Sequence, residues 1–225
     1  MLLLTTLFVI GITAEAITGA LAAGRERMDL FGVVIVACVT AIGGGSIRDV
    51  LLGHYPLTWV RQPTYLVLVA AAAVITVSIA GLMTYFRTLF LVLDALGLVV
   101  FAIFGTRVAL EMGHGIVIAA AAAIITGVFG GVMRDLLCDR VPLVFRKELY
   151  ASIALFATFI YVGLLRVGVP EMWVVIITLV VGFGARLLAI YFRLGLPVFD
   201  YQEIEHAPRK GKRHPWSRRP SAGED

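Results

Sequence analysis

The sequence predicts an all-α polytopic membrane protein with seven transmembrane helices, arranged as two inverted three-helix repeats followed by a seventh helix. The composition is 60% hydrophobic over 225 residues, whereas soluble domains are nearer about 45–50% apolar. The mean hydropathy is +0.96, and several apolar stretches approach the roughly 18 residues that a spanning helix needs. A ten-residue motif also occurs twice with its charged residues intact, which indicates an internal duplication.

Short polar turns divide the apolar sequence into the expected spans. The spans cover about residues 2–23, 30–52, 64–84, 88–110, 116–138, 149–167 and 172–192. The first span resembles a signal peptide in position, but no basic residue precedes it and Glu15 interrupts it. We therefore interpret it as a helix of the mature chain.

Basic residues concentrate in alternate loops and in the tail that follows the last span. They are Arg25, Arg27, Arg87, Arg140, Arg146 and Lys147, with Arg193, Arg209, Lys210, Lys212, Arg213, Arg218 and Arg219 in the tail. The positive-inside rule predicts a multi-pass protein of the plasma (inner) membrane, with the N-terminus outside and the C-terminus in the cytoplasm. The tail is polar enough to be disordered, and its charge suits anionic lipid headgroups.

The duplication is clearest where residues 40–59 align with residues 126–145 at an offset of 86 positions. About eight of those twenty pairs are identical, where background composition gives one or two. Each repeat unit holds three spans, so the second copy must enter the membrane in the opposite direction. The predicted divisions are a first repeat at 1–87, an inverted repeat at 88–168, a seventh helix at 169–195 and a basic tail at 196–225.

Glycines and hydroxyls within the motif are the first candidates for a polar path. The glycines are Gly43, Gly44, Gly45, Gly127, Gly130 and Gly131, and the hydroxyl residues are Thr40, Ser46 and Thr126. Consecutive glycines weaken a helix by about 1 kcal/mol each, which favours a kink or an unwound turn with carbonyl groups that face water or protein. Such carbonyl groups suit a dehydrating cation. The alternative is that the glycines permit close helix packing.

An Arg-Asp pair follows the glycines in each copy: Arg48 and Asp49, then Arg134 and Asp135. Adjacent helical residues diverge by about 100°, so we expect pairing across the repeat, Arg48 with Asp135 and Arg134 with Asp49. The alternative places each dipeptide at a helix end, where the charges flank the two mouths of a path.

Two further acids, Glu15 and Asp94, interrupt apolar spans. Neither is duplicated, because Phe101 aligns with Glu15 and Phe8 aligns with Asp94. An intramembrane carboxylate is a functional candidate. The alternative is a carboxylate near the interface, or one paired with a nearby base such as Arg87.

Enzymatic signatures are missing from the sequence, which shows neither a nucleophile elbow nor a nucleotide-binding loop. Cys38 and Cys138 lie in apolar segments and are interpreted as packing residues. The sequence therefore predicts a protein that is not an enzyme, with no cofactor, no resident metal and no nucleic-acid partner.

The segments Gly43-Gly-Gly-Ser-Ile-Arg-Asp49 and Phe129-Gly-Gly-Val-Met-Arg-Asp135, with Asp94-Ala-Leu-Gly-Leu between them, resemble the trimeric intracellular cation channel (TRIC) family. They are similar to its prokaryotic branch, whose repeat is also labelled a glycine-transporter domain. The resemblance implies a homotrimer with an ion path in each protomer, passing glycine kinks in helices 2 and 5. It implies K⁺ and Na⁺ as permeant ions and membrane lipids, including a bound lipid, as partners. Phe129 replaces one glycine of the family triplet, so it narrows the path or fills a packing gap.

The leading functional hypothesis is therefore a monovalent-cation, K⁺-permeable channel. The alternative is a secondary transporter of glycine or another small neutral metabolite. Inverted repeats with interrupted helices are typical of such transporters, and an arginine suits a substrate carboxylate.

Overall fold

The fold is helical throughout the part of the chain that the computed structural model describes, which is residues 2–80, 86–146, 149–192 and 194. Those residues contain no strand. The helices are α1 Leu2–Arg25, α2 Leu30–Leu52, α3 Thr58–Arg61, α4 Thr64–Ala80, α5 Phe86–Glu111, α6 Ile116–Leu137, α7 Leu143–Arg146, α8 Tyr150–Arg166 and α9 Glu171–Tyr191.

Five of these helices, α1, α2, α5, α6 and α9, are long and apolar enough to cross a membrane. The other two predicted spans correspond to α4 and α8, which are apolar but shorter, with 17 residues each. Residues 81–84, at the end of the predicted third span, lie outside the described residues, and so does the predicted tail at 196–225. The structure thus confirms the polytopic helical class.

Local sequence signals account for the ends of α2. Asp29 caps the first turn, since its Oδ1 accepts a hydrogen bond of 2.7 Å from the amide of Gly32. Gly53 ends the helix with φ of 70°, in the left-handed region that glycine adopts without a steric penalty. The chain then turns and forms the short helix α3.

Two apolar cores lie side by side, each centred on one predicted three-helix unit. The first joins α1, α2 and α4 and includes Val100 and Phe101 of α5. The second joins α5, α6 and α8 and extends to Val174 and Val175 of α9. Helix α9 packs on α5 and α8, so it joins the second unit.

Helices α2 and α6 cross at the centre, in antiparallel directions. A Cβ atom at Gly44 would overlap the carbonyl oxygen of Thr126, and one at Gly130 would overlap the carbonyl oxygen of Thr40. Because these contacts are equivalent under the 86-residue offset, the crossing is symmetric. Both helices continue through the glycines, so the expected unwound turn is absent from α2 and α6, whereas the expected close packing is present. A bend without loss of helix remains a prediction.

The same glycine-mediated packing joins α1 to α2 and α5 to α6. A Cβ at Gly19 would lie 2.7 Å from the Cα of Ala37, and a Cβ at Gly105 would lie 2.7 Å from the Cα of Ala123. These two pairs are also equivalent at the same offset. The repeat is therefore visible in the contacts, and the glycines set how closely the central helices approach one another.

Candidate functional site

The Arg-Asp motifs lie in the last turns of α2 and α6, and all four side chains are buried. The Nη2 of Arg48 lies 2.6 Å from the Oδ1 of Asp49, and the Nε of Arg134 lies 2.9 Å from the Oδ1 of Asp135. Each arginine thus pairs with the next residue in the sequence. The expected pairing across the repeat, Arg48 with Asp135 and Arg134 with Asp49, is wrong.

The helix crossing explains why the arginines do not pair with the aspartates of the other repeat. Arg48 lies one turn beyond Gly44, and Arg134 lies one turn beyond Gly130, but the two helices run in opposite directions from their crossing. The motifs therefore end at opposite sides of the crossing, as the helix-end alternative expected. The long arginine side chain bends back to its neighbour, which overcomes the angular separation of adjacent helical residues.

Each aspartate also anchors the segment that follows its helix. The Oδ2 of Asp49 accepts hydrogen bonds from the amide and the hydroxyl of Thr58, at 3.3 and 3.2 Å. The Oδ2 of Asp135 accepts a hydrogen bond of 2.9 Å from the amide of Leu143. His54 adds a contact of 3.0 Å from its Nδ1 to the Oδ1 of Asp49. The aspartates thus hold α3 and α7 against the ends of α2 and α6.

Arg134 is the centre of a larger buried group, which we call the Arg134 cluster: Glu15, Thr18, Asp94, Arg134 and Asp135. The Nη1 of Arg134 lies 2.8 Å from the Oδ1 of Asp94 and 3.8 Å from the Oε2 of Glu15. The hydroxyl of Thr18 donates to the Oε2 of Glu15 at 2.9 Å and accepts from the Nη1 of Arg134 at 3.2 Å. Glu15 and Asp94 thus form part of one polar site.

Two polar atoms of this cluster are buried without a hydrogen-bond partner among the described residues: the Oδ2 of Asp94 and the Nη2 of Arg134. An unsatisfied buried polar group costs about 1–3 kcal/mol, and more when it is charged. The partner of Asp94 is Arg134, in place of the base Arg87 that one alternative named. Phe90 covers the guanidinium, with its ring centre 4.5 Å from the Cζ of Arg134.

The equivalent positions around Arg48 carry aromatic rings instead of polar groups. Phe101, Phe104 and Phe8 occupy the places of Glu15, Thr18 and Asp94. The ring centre of Phe8 lies 5.3 Å from that of Phe104, 6.3 Å from that of Phe101 and 4.9 Å from that of Tyr65. One repeat therefore surrounds its arginine with carboxylates, and the other with phenylalanines.

The predicted hydroxyl residues bond to their own helices. Thr40 and Thr126 each donate to the carbonyl oxygen four residues earlier, at 2.6 Å. Ser46 donates to the carbonyl of Ile42 at 2.8 Å and accepts from the indole of Trp59 at 3.1 Å. Because these hydroxyls use their protons on the backbone, their oxygen atoms keep acceptor capacity.

The remaining predicted glycines differ in their surroundings. A Cβ at Gly127 would lie 2.8 Å from the carbonyl oxygen of Leu98, and one at Gly43 would lie 3.2 Å from the sulfur of Met133. A Cβ at Gly131 would lie 3.4 Å from the hydroxyl of Tyr150, whereas one at Gly45 would make only an ordinary contact of 3.8 Å with Arg48. Phe129 is 38% exposed in the single protomer, and its effect on the path stays a prediction.

Cavities lie at both ends of the central helix pair. The Arg48 cavity, about 240 Å³, is lined by Arg48, Thr58, Tyr65, Phe104 and Arg107 among others. A smaller adjoining cavity of about 20 Å³ extends towards the crossing at Thr126. The Asp135 cavity, about 230 Å³, lies at the opposite end and is lined by Phe90, Asp135 and Arg140 among others. The central crossing lies between the two cavities, and the Arg134 cluster adjoins the Asp135 cavity through Asp135.

Sequence reasoning missed three buried members of this region. Thr18 lies one turn after Glu15, and Tyr150 and Arg186 are also buried. The Cζ of Arg186 lies 4.7 Å from the ring centre of Tyr150. Arg186 falls within an apolar span, and this position is the signal that marks it as a candidate. In the described parts of the chain, no group of three His, Cys, Asp or Glu side chains is arranged to hold a metal ion.

These observations define a duplicated, all-helical, multi-spanning membrane protein with buried charge at its centre. The chain belongs to the Glycine transporter family, whose model matches residues 5–81 and 91–166. The second matched segment begins 86 residues after the first, which is the offset of the repeated motif. The family resemblance expected from the motifs is confirmed.

Curated relatives are membrane proteins of similar length. The UPF0126 inner membrane protein YadS of Escherichia coli (strain K12) is 37% identical over 201 residues, which cover 87% of this chain and 95% of the relative. A UPF0126 membrane protein of Vibrio cholerae is 35% identical over 190 residues, covering 84% of this chain and 80% of the relative. The protein is accordingly a membrane protein.

Solved structures of cation channels share the fold. A TRIC trimeric intracellular cation channel orthologue from Rhodobacter sphaeroides superimposes with a TM-score of 0.83 at 36% identity, covering 86% of this chain and 100% of that chain. A prokaryotic TRIC channel matches with a TM-score of 0.80 at 31% identity, covering 87% and 99%. The similar proteins are membrane proteins and channels rather than enzymes.

Proposed function

We propose that the protein is a K⁺-permeable channel for monovalent cations, with an ion path in each protomer along α2 and α6. The observation that carries this proposal is the match, over nearly the whole chain, to structures described as cation channels. The Arg134 cluster supports a cation as the permeant species, because the acidic side chains of Glu15, Asp94 and Asp135 place oxygen atoms beside the proposed path.

The proposed path joins the two cavities. It runs from the Arg48 cavity past Ser46 and Thr126 to the central crossing, then past the Arg134 cluster to the Asp135 cavity. The smaller cavity holds about one water molecule, since its volume is about 20 Å³. A hydrated ion does not fit, so the ion must lose water here or the helices that line the cavity must move apart. The proposed kinks at these glycines would allow this movement.

The assembly belongs to the same proposal. A solved relative is described as trimeric, and we propose a homotrimer in which each protomer conducts separately. Curated relatives are named inner membrane proteins, and the basic loops favour a cytoplasmic C-terminus. K⁺ and Na⁺ are the proposed permeant ions, and lipids contact the apolar outer faces.

A second candidate function, transport of glycine or another small neutral metabolite, rests on one feature of the Arg48 cavity. The hydrogen bonds from Arg48 to Asp49 use its Nε and Nη2, which leaves Nη1 for another acceptor. A guanidinium edge in a cavity of about 240 Å³ suits a small carboxylate. The family description, Glycine transporter, agrees with this candidate.

Flux through proteoliposomes separates the two functions. Vesicles loaded with KCl and diluted into an impermeant cation should release K⁺ without any metabolite, measured as proton uptake through an added protonophore. Empty vesicles treated identically serve as the control. Absence of K⁺ release, together with saturable uptake of labelled glycine, would replace the channel with the transporter.

A further inference from the structure

We propose that the Arg48 cavity binds one phosphate group between Arg48 and Arg107. The ligand is a tetrahedral oxyanion, either free inorganic phosphate or the phosphate of a lipid headgroup. The site goes beyond the proposed function, because its ligand is an anion and its occupation does not depend on whether the protein conducts. The donors of the two arginines, the position of the acids near them and the broken repeat each support it.

Two arginines line one cavity of about 240 Å³ with part of their hydrogen-bonding capacity unused. Arg48 donates to Asp49 through its Nε and Nη2, and Arg107 contacts its acidic partners through its Nε. The Nη1 of Arg48 and both Nη atoms of Arg107 remain as donors. Guanidinium groups bind phosphate well, because their parallel N–H groups match two of its oxygen atoms. A phosphate, with its several oxygen atoms, can use donors from both arginines at once.

The carboxylates that pair with Arg107 lie on its other side. Glu111 and Glu171 line a separate cavity of about 320 Å³, and Arg107 lines both cavities. The Nε of Arg107 lies 2.8 Å from the Oε1 of Glu111 and 3.0 Å from the Oε1 of Glu171. Both glutamates are exposed enough for water to screen their charge. Within the described residues, no acidic side chain lines the Arg48 cavity itself.

Asp49 is the carboxylate that pairs with Arg48, and several donors share its charge. Its Oδ1 contacts the guanidinium of Arg48 and the ring of His54. Its Oδ2 accepts from the amide and the hydroxyl of Thr58. Asp49 lines the smaller adjoining cavity and not the Arg48 cavity. It therefore fixes the position of the Arg48 guanidinium while the Nη1 stays available to a ligand.

The broken repeat makes this end of the molecule richer in positive charge than the other. Arg134 pairs with aspartates from two helices, whereas the phenylalanines in the equivalent places leave Arg48 with one aspartate. Arg107 is also unduplicated, because the residue 86 positions earlier is Leu21. A bound phosphate offsets the positive charge of both arginines, which otherwise repels a cation that enters the proposed path here.

Equilibrium binding of radioactive inorganic phosphate to the purified full-length protein in phosphatidylcholine nanodiscs tests the site. At constant ionic strength, we expect saturable binding of one phosphate per protomer, displaced by sulfate and not by chloride. Arg48→Gln and Arg107→Gln should each weaken binding by about tenfold or more, because each removes charge-assisted hydrogen bonds. Arg166→Gln is the matched control, since it removes an exposed arginine that lines neither cavity.

Native mass spectrometry of the same samples distinguishes the two sources of the phosphate group. One phospholipid retained per protomer in the wild type and lost in Arg107→Gln assigns the site to a lipid headgroup. Equal lipid content in the wild type and the variant, together with saturable phosphate binding, assigns it to the free anion. Either result supports a phosphate site between the two arginines.

The site is overturned if the wild type neither binds phosphate nor retains more lipid than Arg107→Gln. Equal phosphate binding in the wild type and both cavity variants would contradict it as well. Displacement by glycine as effective as by sulfate would assign the cavity to a carboxylate instead. Size-exclusion profiles check that each variant is assembled. Currents from the same samples keep the two proposals apart: conduction without phosphate or lipid binding refutes the site alone, and binding without conduction refutes the channel alone.

Discussion

Glycines at the helix crossing have no space for a side chain, whereas a neighbouring glycine does. Gly44→Ala should lower the free energy of unfolding by about 1–3 kcal/mol, because its Cβ would overlap the carbonyl oxygen of Thr126. Gly45→Ala is the matched control, since its Cβ would approach only Arg48, at 3.8 Å. Thermal unfolding in detergent measures the stability of both variants. An equal loss of stability in the two would show that the close contact at Gly44 is not what stabilises the crossing.

Replacement of the two buried arginines should destabilise the fold by different amounts. Arg134→Gln should destabilise the fold by about 3–5 kcal/mol, because it leaves Asp94 and Asp135 without the buried cation that pairs with both. Arg48→Gln should cost less, since Asp49 keeps its contacts with His54 and Thr58. The same unfolding measurement compares them, and a larger loss in Arg48→Gln would contradict the asymmetry between the repeats.

At the scale of single residues, the sequence identified the candidate site residues. It did not identify which side chains they contact. Charge within an apolar span is enough to mark Arg134, Asp94 and Glu15 as candidates. The partners depend on how far a side chain bends and on where two helices cross, and a one-dimensional pattern contains neither. Thr18 was missed because a threonine in a helix is ordinary until a carboxylate lies beside it.

Among the helices, the short elements α3 and α7 depend on the aspartates that end α2 and α6. Asp49→Ala should speed amide hydrogen exchange in Thr58–Arg61, because it removes the acceptor for the amide and hydroxyl of Thr58. Asp135→Ala should act in the same way on Leu143–Arg146, whose first amide it holds. Exchange that rises equally in both segments in either variant would show that the anchors are not local.

Apolar length and periodicity predicted the long helices well, since five spans have helices long enough to cross a membrane. The two short helices were not predicted, because four residues carry too little pattern to distinguish a helical turn from a loop. The sequence also favoured an unwound turn at the glycines of α2 and α6, and this expectation was wrong. Glycine lowers helix propensity, but close packing of α2 on α6 outweighs that loss and keeps both helices intact.

The whole molecule combines a symmetric backbone with asymmetric chemistry. The glycine contacts of one half recur in the other, but the groups around the two arginines are carboxylates in one half and aromatic rings in the other. The duplication could be found in the sequence, because its motif and offset are preserved. Glu15 and Asp94 have no copies in the other half. The sequence did not show that both lie beside Arg134, because this depends on the packing of α1, α5 and α6.

The orientation of the molecule remains a prediction from the basic loops. In a background without Cys38 and Cys138, His114→Cys should react with a membrane-impermeant maleimide in intact cells, because its loop is expected outside. Arg27→Cys should react only after the cells are lysed. The opposite labelling would place the N-terminus in the cytoplasm.

Single-channel recording in planar bilayers tests the central proposal most directly. The purified protein is studied under a KCl gradient without any metabolite. We expect discrete openings whose current reverses near the K⁺ equilibrium potential, and a reversal that shifts when Na⁺ replaces K⁺ on one side. Silent bilayers with correctly assembled protein, or a reversal near the Cl⁻ equilibrium potential, would contradict a cation channel.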